Sequence, residues 1–560
     1  MTSRPPVRTL LGWLLLGAAF VCVAIWGPNK EAEIGGWALL PPAVAILSAF
    51  LIGEVIAALL SSVWIGVWIT LGSGADGFVY AFPRVLDSYL VPVLTDADHL
   101  MVILFSFFIS GTVGILKASG SLAAIADFFR HAARTRRRTM FGSYLLGIAV
   151  FFDDYANTLI VGNTMKEIFP RFRISRAKLA YIVDSTSAPV AAIALVTTWI
   201  GAQLGYIDEA LAQMPDITIG SYGIFLRALP YAFYPLLTLW MVALLIITQR
   251  DFGPMYRYET AALERGPSAG DVPSSSPAAF GRLRLFMAVL PIIVLVGGTF
   301  GALWWTGSHA LASLPESRWL YWLYVLGNGD PYRSLLWASG TASLIALALA
   351  VLYWKISLQE ALDDFFKGMA SMLGAMSILV LAWMLGRVME QLHTAPYIVD
   401  MMPHAMEPAW LPPLFFFIAA VTSFSTGSSW GTMAILYPLA LPVVYAQGKA
   451  LGLDVDAVLP HFIHTASVVL AGSVFGDHCS PISDTTILSA MASDCPLMEH
   501  VRTQLPYALT AGLAALLIGH VGMAVGLSGW LAWPAALAAI WAVVRFYGKP
   551  LPVQLARERP

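Results

Sequence analysis

Four polar clusters interrupt an otherwise apolar chain of 560 residues: Asp153–Thr158, Asp184–Pro189, Thr422–Thr432 and Gly476–Thr486. The residues in them that could hold a ligand are Asp153, Asp154, Asn157 and Thr158, then Asp184, Ser185 and Thr186, then Ser428 and Thr432. The last cluster adds Asp477, His478, Ser480, Ser483, Asp484 and Thr485. Nearly all are oxygen donors, the ligand type hard cations prefer. Gly or Pro accompanies all but the first cluster, and both residues interrupt helices and free backbone carbonyls. Half-helix ends then bring their dipoles to the same place. Together the clusters describe a dehydrated site for a small cation, Na+ above all. A buried aspartate there binds Na+ or H+ but not both, so the two ions compete without meeting.

Plainer readings stand beside this one. Asp153 and Asp154 can cap helix ends, Asp477 and His478 can form a structural pair, and the hydroxyls can back-bond to helix carbonyls. Glu54 reads as an interfacial or gating residue. A transition-metal set of Asp477, His478 and Cys479 with His461 or His464 is a minor alternative. An intramembrane hydrolase using Ser428 or Ser429 with His478 lacks a nucleophile-plus-base spacing, so no enzyme is expected.

What must position these clusters is a set of membrane helices. The chain is 58% hydrophobic and 12% charged, with mean hydropathy +0.72. Soluble proteins carry roughly twice that charge, about 25%. A net charge of −2 leaves no basic face for nucleic acid. Three cysteines, Cys22, Cys479 and Cys495, are too few and scattered for a disulfide framework. Arg4 and Arg8 precede an apolar run without a cleavage pattern, which reads as an uncleaved first span.

Apolar length and the placement of Lys and Arg predict an all-α polytopic fold of about 12 spans with both termini cytoplasmic. Spans are expected at 10–27, two within 36–72, then 99–118, 179–204 and 226–248. After these come 285–306, 335–354, 369–390, 461–490, 505–524 and 530–546. The acidic segment 73–98 reads as an outside loop. The segment 140–165 is flanked on both sides by basic residues, from Arg130 to Arg138 and from Lys166 to Lys178. A crossing would put one cluster outside, so 140–165 is expected to be a re-entrant hairpin turning near Asp153–Thr158. A second hairpin, 411–446, enters from the other side. Opposed hairpins imply inverted repeats, with ligands bound at the midplane between broken helices. The expected organisation is an N-terminal span (1–35), a first repeat (36–249), a flexible cytoplasmic linker (250–282), a second repeat (283–525) and a C-terminal span with its tail (526–560).

Three stretches carry a family resemblance: FFDDYANTLIVG (151–162), RISRAKLAYIVDSTSAPVAAI (173–193) and SVFGDHCSPISDTTILSA (473–490). They resemble the NhaC-type sodium/proton antiporter family, and the similarity runs over roughly 40–525. That family sits in an ion-transporter superfamily that includes sodium/dicarboxylate symporters. The resemblance implies a homodimeric elevator-type transporter with Ser-Asn-Thr motifs at two opposed hairpin tips. Asn157 and Thr158 take the first motif's place, with Ala156 where a serine is usual, and the second tip has Gly431 and Thr432 without an asparagine. Extra carboxylates compensate, which gives Asp154, Asn157, Asp184 and Asp484 as Na+ ligands. The implied activity is Na+/H+ antiport across the bacterial cytoplasmic membrane without a cofactor. Na+-coupled transport of an amino acid or carboxylate is the alternative.

Overall fold

The computed structural model describes residues 7–28, 34–52, 54–72, 74–121, 135–151, 153–166, 168–265, 282–310, 325, 329–401, 406–481 and 483–552. Apart from one two-residue strand pairing, Arg250–Asp251 with Lys549–Pro550, these residues form helices and their connections. In lipid every backbone amide and carbonyl must be satisfied within the protein, and helices do this within one segment. Ten helices among the described residues are long and apolar enough to cross a membrane, or up to 12 if two bent pairs each count as one span. The bent pairs are Arg176–Ile193 with Thr198–Leu211, at 43°, and Ser221–Tyr231 with Phe233–Thr248, at 47°. The chain is a multi-pass membrane protein.

The helices that matter for the polar clusters are the broken ones. The segment 140–165 forms two short helices, Arg136–Ala149 and Asp154–Met165. The first helix ends at Ala149 and Asp154 already opens the second, so the helix break lies just before the residues Asp153–Thr158. The next segment forms Arg176–Thr186 and Ala188–Ile193, then restarts as Thr198–Leu211. Leu411–Thr426 and Ser429–Ala450 flank a left-handed Gly427 (φ 67°), a conformation side chains resist. Val455–Cys479 is followed, after 480–483, by Asp484–Ala492.

Side-chain caps make these breaks tolerable. Each restarting helix has orphan N–H groups, and a hydroxyl just before it accepts from them. Ser187 serves Ala188, Thr197 serves Trp199 and Ile200, Ser428 serves Gly431, and Ser483 serves Thr486. Close backbone packing aligns the broken helices. A methyl group added at Gly472 would lie 2.6 Å from the Phe416 carbonyl oxygen, so Leu411–Thr426 and Val455–Cys479 approach only through glycine.

Two expectations are corrected. The segment 73–98 is mostly helical rather than a loop: Ala75–Arg84, Val85–Leu90 and Val91–Thr95 precede Ala97–Ala118. Its Phe78 packs against Trp64 and Trp68, which holds it to the preceding helix. The supposed flexible linker begins as the strand Arg250–Asp251 and the helix Gly253–Arg265, while 266–281 lies outside the described residues. Ion pairs explain that order. Glu259, fully buried, pairs with Arg136 and accepts the Ser175 N–H at 2.8 Å. Asp251 accepts from Lys178 Nζ at 2.5 Å, both side chains being almost wholly buried. Removing one partner of a buried pair costs about 3–5 kcal/mol.

Candidate functional site

Asp184 lies at the end of helix Arg176–Thr186 with no exposed surface. A buried carboxylate only accepts hydrogen bonds, so donors must be brought to it. Its Oδ2 accepts from Gln504 Nε2 at 2.6 Å, His500 Nε2 at 3.2 Å and Thr486 Oγ1 at 3.2 Å. Its Oδ1 has no hydrogen-bond partner and lies 4.0 Å from His478 Nε2. The Asp184 carbonyl, 3.1 Å from that nitrogen, can only accept, so Nε2 carries the His478 proton. Nδ1 then accepts from the Tyr234 hydroxyl at 2.9 Å. The other Gln504 proton goes to the His478 carbonyl at 2.9 Å, which ties the 186–188 break to the 480–483 break.

Asn157 joins the first helix pair to the same place. Its amide nitrogen approaches three carbonyl oxygens: Gly147 at 2.5 Å, Thr186 at 3.0 Å and Val150 at 3.1 Å. Three acceptors fix which end of the amide is nitrogen, and its Oδ1 is left without a partner. Gly147 permits this approach, since a side chain there would overlap Thr186. The Ser185 hydroxyl and Gln504 Oε1 are also buried and unpartnered. Asp184 Oδ1, Asn157 Oδ1, Ser185 Oγ and Gln504 Oε1 are therefore the open oxygens around this break.

The adjacent aspartates separate. Asp154 is buried at the start of helix Asp154–Met165. Asp153, also buried, lines a cavity of about 370 Å³ bounded by helices Ala97–Ala118 and Leu358–Ser371, with Tyr155, Lys117 and Lys367 on its walls. The Tyr155 hydroxyl donates to Asp484 at 3.4 Å, and Asp484 is exposed rather than enclosed with Asp184. Asp477 is buried and accepts from Thr485 at 2.8 Å, whose hydroxyl also meets Ser483 at 3.1 Å. Ser480 is buried beside them.

Other expected ligands are engaged with backbone. Thr158 donates to the Asp154 carbonyl and Thr186 to the Ile182 carbonyl, each at 2.8 Å. Ser428 accepts the Gly431 N–H at 3.1 Å, whereas Thr432 Oγ1 is buried without a partner. That second break reaches the first bend through Trp430, 5.7 Å from the Trp199 ring. The metal alternative does not assemble: His464 turns to His520 at 2.9 Å, and no group of three or more His, Cys, Asp or Glu able to hold a metal occurs among the described residues. The residues missed from sequence are His500, Gln504, Tyr234 and Tyr155. The signal for the first two was their i, i+4 spacing, which puts both on one helix face.

A model of the Na+/H+ antiporter family matches residues 190–523, more than half of the chain. The chain belongs to that family. The resemblance carried by the three motif stretches is thereby borne out. Over 513 residues the chain is 31% identical to an uncharacterized protein of Haemophilus influenzae, covering 91% of this chain and 95% of that one. It is also 31% identical over 192 residues to the arginine/ornithine antiporter ArcD of Halobacterium salinarum, covering 34% of this chain and 36% of that protein. The Na+/H+ antiporter NhaC of Bacillus subtilis is 28% identical over 183 residues, 31% of this chain and 36% of its own length. Among solved structures, the Alcanivorax borkumensis YdaH transporter superposes with a TM-score of 0.54 at 16% identity, covering 94% of this chain and all of that one. That likeness concerns the fold alone.

Proposed function

We propose that the chain exchanges Na+ for H+ across a bacterial cytoplasmic membrane, with Asp184 at the centre of the cation pocket. The observation that carries this reading is the asymmetry of that carboxylate. One oxygen is saturated by three side-chain donors, and the other has no hydrogen-bond partner, as is also true of oxygens of Asn157, Ser185 and Gln504. Such a set suits either a dehydrated hard cation or a proton on Oδ1, and each excludes the other. Asp154 joins Asp184 as a proposed Na+ ligand, the exposed Asp484 is placed on the approach to the pocket, and Asp477 with Thr485 braces the junction of helices Val455–Cys479 and Asp484–Ala492.

The motion we assign is of elevator type. The two helix pairs, 136–165 and 411–450, act as opposed re-entrant hairpins of two inverted repeats, 36–249 and 283–525, in a homodimer. Supporting this for the first pair, its helices have 14 and 12 residues. At 1.5 Å per residue they reach only about 21 and 18 Å, short of a hydrocarbon core of about 30 Å. Cysteines replacing the exposed Arg138 and Arg171 are expected to label from one side of the membrane only. Labelling from opposite sides would remove the hairpin.

The function is tested with purified protein in liposomes containing a pH dye, with Na+ added outside. Proton movement that saturates with Na+ is expected. Absence of proton movement together with Na+-dependent uptake of a labelled amino acid would replace this reading with solute transport.

A further inference from the structure

A cavity of about 500 Å³ opens where three elements meet, away from the cation pocket. One wall is the turn and first residues of helix Arg176–Thr186, with Arg173, Arg176 and Ala177. The second is the start of helix Leu497–Leu513, with Glu499, and Asp494 just before it. The third is helix Gly253–Arg265, which brings Arg257. That helix is pinned to the first wall, because its buried Glu259 pairs with Arg136 and accepts the Ser175 N–H at 2.8 Å.

The charges lining the cavity do not cancel. Arg176 pairs with the Asp494 carboxylate and also donates to its carbonyl at 3.2 Å. The guanidiniums of Arg173 and Arg257 have no ion-pair or hydrogen-bond partner among the described residues. Arg173 is half-buried and Arg257 is exposed. Guanidiniums from Arg173, Arg176 and Arg257 against the carboxylates of Asp494 and Glu499 leave about one positive charge. The two helix N-termini add roughly half a charge each. In the first turn of helix Arg176–Thr186, Ser175 caps the Lys178 N–H at 3.1 Å. The N–H groups before it belong to Arg176 and Ala177, which line the cavity, and such groups have no partner within a helix.

We propose that this cavity binds a phosphomonoester group, anchored by the two unpaired guanidiniums of Arg173 and Arg257. A carboxylate brings two oxygens and a single charge. A phosphomonoester brings three oxygens and about −1.5 to −2 at pH 7, which matches both the forked donors and the excess of positive charge. Bound there, it joins helix Gly253–Arg265 to both neighbouring helices. The site is separate from Asp184, and binding at it does not depend on which ion the protein exchanges. Two sources share this chemistry: the headgroup of phosphatidic acid, reached from the bilayer, and free phosphate, reached from solution.

Binding is measured on the purified full-length protein in neutral detergent. Labelled inorganic phosphate is followed by equilibrium dialysis, and fluorescent phosphatidic acid is compared with phosphatidylcholine in the micelles. Saturable binding of at least one of the two phosphate sources is expected. The double variant Arg173→Gln/Arg257→Gln leaves the Arg176–Asp494 pair intact, and affinity is expected to fall about tenfold or more. Arg257→Gln alone decides the matter if the double variant does not fold. Arg138→Gln, an exposed arginine outside the cavity, is expected to stay within about twofold of wild type. Saturable phosphate binding without a preference for phosphatidic acid over phosphatidylcholine assigns the site to the free ligand, and the reverse assigns it to the lipid. Saturable binding of neither, equal affinity in the double variant and wild type, or an equal loss in Arg138→Gln would overturn the site.

Discussion

Two interruptions of the membrane helices contain similar residues and use them differently. Around Gly427, the hydroxyls engage backbone, in part that of the separate helix Val455–Cys479. Ser428 caps Gly431 at 3.1 Å, while Ser423 and Ser429 donate to the Ser473 carbonyl at 2.6 and 3.2 Å. Around Asp184, the donors come from far along the chain, from His500, Gln504 and Thr486. The difference follows from chemistry. A hydroxyl both donates and accepts, so a backbone carbonyl can satisfy it. A carboxylate only accepts, and burying one without donors is prohibitive. The Asp184 break is therefore tied to other elements by side-chain donors, and the Gly427 break by the Ser473 backbone carbonyl.

Substitutions can break that contrast. Asp184→Asn keeps the shape and removes the charge, and exchange is expected to fall at least about 100-fold, because about 3 kcal/mol or more depends on a buried charge and its donors. A folded variant with wild-type rates would end the distinction between the two breaks. Gln504→Leu removes one hydrogen bond to a charged group, worth about 1.5–3 kcal/mol, so the Na+ concentration giving half-maximal rate is expected to rise about tenfold or more. An unchanged value would mean that Gln504 only packs.

Asp484→Asn sharpens the contrast from another side. Asp484 is exposed and held by one 3.4 Å hydrogen bond from Tyr155, so a loss of only about three- to tenfold in rate is expected. Complete loss would move the centre of the site into the cavity that Asp153 lines. Ser428→Ala is expected to be mildest. Thermal unfolding should register the lost cap, about 1 kcal/mol, with exchange within about twofold of wild type. A transport defect as deep as that of Asp184→Asn would make the second break a ligand donor after all.

Much of the fold was legible because lipid imposes long apolar helices and polar interruptions stand out against them. The breaks at 150–153, 186–188, 427–428 and 480–483 fall within or beside the four clusters. What stayed hidden was pairing over long sequence distances. Apolar length alone starts the next span at 505 and leaves His500 and Gln504 in a connection, whereas the helix starts at Leu497. Nothing in the apolar run around Tyr234 marks it out from its neighbours, and only the fold brings it to His478. In the sequence Lys178 belongs to a basic stretch that reads as a topology signal. It is 1% exposed and paired with Asp251, 73 residues away, which charge counting along the chain does not register.

The central claim is that Na+ and H+ displace each other on one carboxylate. Purified protein titrated with Na+ in weakly buffered solution, with a pH dye present, tests it without requiring transport. Proton release that saturates with Na+ and is absent from Asp184→Asn is the predicted result. Na+ binding that releases no protons, or equal release from Asp184→Asn, would contradict it.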